Sequence, residues 1–306
     1  MTAPADARIE PLARGVWGVV ATPFTGDDRA IDADSLARLV SFYETVGATG
    51  LTVLGVFGEA ASLTAAERMD VLRVAAENSS LPIVAGVTSL STAPAIAEIE
   101  NAHATLGDRL AAVMVQANSP RADAVIEHLQ RIHAATGVPI VLQDYPKASG
   151  VAISTDAVIA VVQACRFVSA VKAEAPPTAV AIARLTAKLE VSVFGGLGGQ
   201  GLLDELAAGS AGAMTGFSYP EALVACVDAS LAGDADAARE ALLPYLPLIN
   251  FEQQPGIALA IRKELFRRRG LFADAAVRPP AVAFPAELST IADAHLERAG
   301  RLQVVR

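Results

Sequence analysis

The sequence predicts a (β/α)8 barrel followed by a C-terminal helical extension, and three observations carry that prediction. Short Val/Ile/Leu-rich runs alternate with longer helical patterns along the 306 residues, as expected of parallel strands buried on both faces. The alternation recurs eight times in about 220 residues, the size of one such barrel. No stretch rich in Pro, Gly or Ser interrupts the chain, so the barrel is expected over 12–225 and the helical region over 226–306.

Strands are expected at 15–22, 50–54, 82–87, 111–115, 139–143, 167–172, 191–195 and 211–215. Between them, helix starts are recognisable. Asp34 precedes a helix over 35–46. Thr64 and Glu67 make a capping box ahead of the next helix, and Ser154-Thr155-Asp156 opens a later one. The polar residues 1–11 read as a loose tail.

Composition narrows the class. Hydrophobic residues make up 53% and charged residues 19%, enough for a large core and too apolar for disorder. The net charge of −9 argues against a nucleic-acid partner. No uninterrupted apolar run reaches the roughly 18 residues of a membrane span. Cys165 and Cys226 lie in apolar helical segments and read as reduced core residues of a cytoplasmic protein. The basic cluster Arg262-Lys263 and Arg267-Arg268-Arg269 reads as a solvated or subunit-contacting helix face.

In a barrel of this kind, sites lie at the carboxyl ends of the strands. Lys172 is the one ionisable nucleophile in that set. It closes the apolar run Phe167-Val168-Ser169-Ala170-Val171. A lysine there, shielded from water, can attack a carbonyl; the plainer alternative is a strand-end lysine paired with Glu174. Glycine-rich strand ends such as Gly195-Gly196 allow close backbone approach to a ligand. Val56, Phe57, Gly195, Gly196 and Met214, at or near these ends, are the expected substrate-binding positions.

Several motifs occur together. They are Gly18-Val19-Val20-Ala21-Thr22-Pro23-Phe24; Gly55-Val56-Phe57-Gly58-Glu59-Ala60, followed by Ser62-Leu63-Thr64 and Glu67-Arg68; Gly137-Val138-Pro139-Ile140-Val141-Leu142, with Pro146 and Gly150; and Val171-Lys172. From Gly15 to about Arg278 the chain resembles the dihydrodipicolinate synthase / N-acetylneuraminate lyase superfamily of class I, pyruvate-type aldolases. The resemblance implies that Lys172 forms an imine with a 2-keto acid and that the protein is a homo-oligomer, a tetramer or dimer.

The departures are specific. Val56 and Phe57 stand where the family has two threonines. Gln143 takes the place of a proton-shuttling tyrosine, Ala117 of a second tyrosine, and Ala148 of the arginine that binds the second substrate's carboxylate. Backbone N–H groups at 56 and 57 can still hold a carboxylate, and Phe57 makes the pocket less polar. Gln143 can orient a carbonyl or hydroxyl without exchanging protons. Tyr145, two residues on and so on the same strand face if the strand persists, is either a displaced acid–base group or rim packing. Asp144 is expected to bond loop amides, and Glu174 is either a general base or an ion-pair partner, the structural role being the expected one. Authentic dihydrodipicolinate synthesis is not expected.

Gly196-Leu197-Gly198-Gly199-Gln200-Gly201 matches a dinucleotide fingerprint, but in the seventh unit instead of the first, with no Lys or Arg nearby. Close approach to the substrate is its expected role. His103, His128, His133 and His295 fall on helices without ligand spacing, so neither metal nor cofactor is expected. The expected activity is a Schiff-base lyase acting on a 2-keto acid such as pyruvate. A sugar-acid dehydratase using the same imine, or a keto-acid-binding paralogue without turnover, are the alternatives.

Overall fold

The computed structural model describes residues 9–304, with backbone alone for 302–304. In chain order the strands are β1 (Gly15–Val19), β2 (Phe24–Thr25), β3 (Ala30–Ile31), β4 (Gly50–Val53), β5 (Ile83–Gly86), β6 (Leu110–Gln116), β7 (Ile140–Asp144), β8 (Val168–Ala173), β9 (Ser192–Gly195) and β10 (Gly212–Thr215). β1 and β4–β10 pair in parallel and close into a barrel, while β2 and β3 form a small antiparallel hairpin that the sequence pattern did not announce. Each expected barrel strand is present, with ends within three residues of expectation.

The helices are α1 (Ala33–Thr45), α2 (Ala65–Glu77), α3 (Thr92–Leu106), α4 (Ala122–Thr136), α5 (Pro146–Ser149), α6 (Thr155–Ala164), α7 (Thr178–Thr186), α8 (Leu202–Ala207), α9 (Pro220–Leu231), α10 (Ala235–Leu242), α11 (Leu246–Glu252), α12 (Ala258–Arg268) and α13 (Ser289–Val304). The Thr64–Glu67 capping box is formed in both directions, and Ser154 caps α6 through the N–H of Ala157. For α1 the cap is Asp32, whose carboxylate accepts from Ser35 N at 3.0 Å. Asp34 lies inside the first turn, where its negative charge suits the helix dipole.

Three apolar groupings hold the fold. Trp17, Val84, Met114, Val141, Phe194 and Met214 fill the barrel interior. A second layer joins the outer faces of the strands to α1–α7, and a third binds α8–α13 to β1 and β10. The expected division at 225/226 falls inside α9, so the helical layer continues across it without a break.

Two expectations are corrected here. The structure ties the end of the expected tail to the barrel: Ile9 N donates to Arg166 O, and the N–H of Leu12, the first residue past the tail, to Ser169 O, both at 3.1 Å. Residues 1–8 lie outside the described residues. Within the basic cluster, Arg262 and Lys263 are not on a solvated face, whereas Arg267 is partly exposed. Arg262 and Lys263 are fully buried, each on a carboxylate. Arg262 Nε meets Glu252 at 3.0 Å, and Lys263 Nζ meets Glu59. Burial pushes the Lys263 amine down to about 8 against the opposing pull of Glu59. Cys165 and Cys226 are buried free thiols, pushed up to about 11 and about 12 by burial. No helix among the described residues is long and apolar enough to cross a membrane.

Candidate active site

Parallel register places a row of polar side chains across the barrel mouth. Gln116 on β6 stands opposite Gln143 on β7, and Gln143 opposite Lys172 on β8. Strand alternation puts Lys172 and Glu174 on one side of β8 and its continuation. Both are buried, with Lys172 Nζ 3.2 Å from Glu174 Oε2. The same Oε2 accepts from Gln143 Nε2 at 2.7 Å. The N–H of Leu197 approaches Glu174 Oε1 at 3.4 Å. The carboxylate is therefore held from two sides while it faces the amine.

These groups line a narrow slot of about 30 Å³ shared with Val19, Val56, Phe57, Tyr145, Leu197, Gly198, Thr215, Gly216 and Gln253. Larger open chambers flank it. One of about 510 Å³ shares Val56 and Gln143 with the slot and includes Gln116 and Ala148. The other, of about 470 Å³, shares Tyr145, Glu174, Leu197 and Gln253.

Val56 and Phe57 reach the slot on a 3₁₀ turn after β4. That turn is anchored behind by Glu59, which accepts from Lys263 and, at 2.9 Å, from Arg278 N. Thr22 Oγ1 donates to Gly58 O at 2.7 Å. The Phe57 ring rests 4.0 Å from the Arg262 guanidinium carbon. This cation–π contact fixes the ring as part of the wall.

The structure brings Lys172, Gln143, Tyr145, Val56 and Phe57 together. Tyr145 arrives by a different route from the one its spacing suggested. β7 ends at Asp144, and Tyr145 turns out of the strand as the residue before α5, with φ −134° and ψ 80°. Its hydroxyl is pushed upward by burial and then by the charge of Glu174. Gly195 and Gly196 serve as clearance behind the slot. A Cβ on Gly196 would lie 2.2 Å from Glu174 Oε1, and one on Gly195 would meet Glu205. Met214 is fully buried in the barrel interior; Thr215 and Gly216, further along the chain, provide the wall in its place. Asp144 does not bond loop amides through Oδ1, which is buried without a partner. Burial first, and Glu174 second, push its carboxyl up to about 6.

Glu205 was not foreseen. It lies on α8 behind Gly195, fully buried, with its carboxyl pushed up to about 7 by burial against a hydrogen bond from Thr178. An acid in the apolar segment Leu202-Leu203-Asp204-Glu205-Leu206-Ala207 is the one local sign of it. The glycine-rich loop closes inward: Gly198 N donates to Thr215 Oγ1 at 2.8 Å. His128 bonds Thr92, and His133 bonds Val138 O and stacks on Phe167. Among the described residues no group of three or more His, Cys, Asp or Glu could hold a metal ion. A primary amine, a carboxylate within reach of its proton and an orienting amide together suit carbonyl chemistry with internal proton transfer.

Residues 12–299 match the family model of the dihydrodipicolinate synthetase family. The chain is 31% identical over 284 residues to the L-2-keto-3-deoxyarabonate dehydratase of Azospirillum brasilense, covering 88% of this chain and 89% of that one. It is 30% identical over 239 residues to the 4-hydroxy-tetrahydrodipicolinate synthase of Methanothrix thermoacetophila, covering 77% and 80%. The crystal structure of dihydrodipicolinate synthase from Rhodopseudomonas palustris superposes with a TM-score of 0.87 at 31% identity, over 96% of this chain and 100% of that one.

Proposed function

Because the chain belongs to the dihydrodipicolinate synthetase family and is a class I aldolase or lyase, we propose that it dehydrates a 2-keto acid through an imine on Lys172. The amine attacks the C2 carbonyl, water leaves, and an iminium results. Glu174 takes a proton from C3, giving an enamine. The C4 hydroxyl then departs with that proton as water. Hydrolysis of the conjugated iminium returns the Lys172 amine and releases the keto acid one water lighter. Gln143 holds the carboxylate in place, and Tyr145 exchanges protons with the carbinolamine oxygen. The N–H groups of Val56 and Phe57 receive the substrate carboxylate.

The observation that carries this reading is the carboxylate 3.2 Å from the amine inside a shared slot. It supplies an acid–base group beside the imine where the familiar hydroxyl relay is absent. The dehydratase relative supports elimination, since it matches along 88% of the chain. Condensation with aspartate semialdehyde is disfavoured by Ala148, which offers no charge to a second carboxylate.

Aldol cleavage of the same imine is the competing outcome, and trapping separates the two. The protein is incubated with 2-keto-3-deoxy-L-arabonate, reduced with borohydride and weighed intact. Dehydration leaves an adduct on Lys172 that keeps every substrate carbon less one water. Cleavage leaves a three-carbon adduct identical to that from pyruvate. The absence of any adduct on Lys172 with either acid would refute the imine. We further propose a cytoplasmic homo-oligomer, tetramer or dimer, whose size native mass spectrometry reads directly.

A further inference from the structure

Gln253 follows α11, far in sequence from every strand, yet its side chain lines the slot with Lys172, Glu174 and Thr215. Its Nε2 is buried and has no hydrogen-bond partner. A buried amide donor without a partner has lost its water and gained nothing in return. Such a group in a native structure calls for an explanation, and a ligand atom is one that fits here.

The backbone makes room for this side chain. Gly198 lies beneath it with φ +69°, and a Cβ there would fall 1.8 Å from Nε2. The absent side chain at Gly198 is thus needed for the amide to enter, and its left-handed backbone also suits glycine. Gln253 also stands where the slot opens into the chamber of about 470 Å³. That chamber carries four amide side chains, Gln200, Asn250, Gln253 and Gln254, with Tyr145 and Lys147. Amides offer donors and acceptors together, which is the chemistry that pairs with hydroxyl groups.

We propose that Gln253 is a substrate-binding residue whose side-chain N–H donates to a hydroxyl oxygen beyond C3 of the hydroxylated 2-keto acid already inferred, directing its chain into the amide-lined chamber. The proposal rests on Lys172 being the imine-forming residue. It assigns part of substrate recognition to the C-terminal helices.

The test compares two keto acids in two proteins. Pyruvate, which has no hydroxyl chain, reports on Lys172 alone through borohydride trapping. 2-Keto-3-deoxy-L-arabonate reports on chain recognition through steady-state kinetics. Gln253→Met keeps the length of the side chain and removes the donor. The expected result is pyruvate trapping within about twofold of the parent, with kcat/KM for the hydroxylated acid lowered by roughly 5- to 100-fold, because the free donor has no water to regain. Melting temperature should be unchanged or higher, since an unsatisfied buried donor is gone. Gln253→Asn, which withdraws the donor without removing it, should show a smaller loss of the same kind.

Unchanged kinetics on the hydroxylated acid in Gln253→Met would overturn the proposal. So would an equal loss on both acids with a lowered melting temperature, which marks Gln253 as packing for the slot. If the parent protein traps no keto acid on Lys172, the failure belongs to the imine reading. Saturable binding of the sugar acid by calorimetry, lost in Gln253→Met, would then still support Gln253, and its persistence would overturn the proposal.

Discussion

The sharpest prediction concerns Glu174→Gln. The substitution conserves shape, and Oε1 of the new amide can still accept from Gln143. What disappears is a carboxylate 3.2 Å from Lys172 Nζ. At that separation the pair attracts by roughly 5 kcal/mol at an effective dielectric of about 20, much of it offset by the cost of burying both charges. The variant should therefore fold with a lowered melting temperature. Its chemistry should change far more. A carboxamide cannot accept the C3 proton, and positioned acid–base groups contribute about 10²–10⁴-fold in rate. Turnover of 2-keto-3-deoxy-L-arabonate should fall within that range, while borohydride with pyruvate still labels Lys172, because imine formation needs the amine and a carbonyl. Dehydration would be followed by product formation in single-turnover experiments and labelling by peptide mass. Undiminished turnover, or loss of labelling in step with turnover in a folded variant, would refute the reasoning.

Lys172→Arg should abolish the adduct while keeping a cation beside Glu174, since a guanidinium does not form the imine; an adduct on another lysine would overturn the assignment. Tyr145→Phe should lower turnover by about 10²–10⁴-fold with trapping retained, and an unchanged rate would return Tyr145 to packing. Glu205 predicts a pH dependence of stability. Its carboxyl is raised from 4.5 to about 7 in the fold, so between those values the folded state holds a proton that the unfolded chain has lost. Stability from this group is complete below about 4.5 and falls as pH rises towards about 7, by on the order of 3 kcal/mol. Glu205→Gln should flatten that part of the profile in thermal melts at pH 5 and pH 8, and an unaltered slope would exclude Glu205 as its source.

The barrel was legible because its signal is local. Each buried parallel strand is a short apolar run, and Lys172 ends one of them. Helix starts were legible to within a turn; Asp32 was overlooked because an aspartate two residues later carries the same chemical cue. Charges were the poorest reading. Arg262 and Lys263 look like a solvated face until Glu252 and Glu59 are brought to them, and Glu59 is 204 residues away from Lys263. Two placements were not legible: the route by which Tyr145 reaches the slot, and that Met214 does not line it. Period-two alternation holds only while the strand lasts, and β7 ends one residue before Tyr145. Met214 points correctly for an interior residue, but a position one step from a strand's end still lies below the floor of the slot.

The anchoring of Glu59 has a consequence for the order in which the protein can be made. The turn bearing Val56 and Phe57 is fastened by Lys263 and by the amide of Arg278, 219 residues later. Until those residues leave the ribosome, Glu59 has no counter-charge and the turn no support from behind. A nascent chain therefore displays the Lys172 amine long before the surrounding wall is complete. Pairings this remote in sequence form late, so competence to turn over substrate should arrive with the final helices as a single step at the end of synthesis.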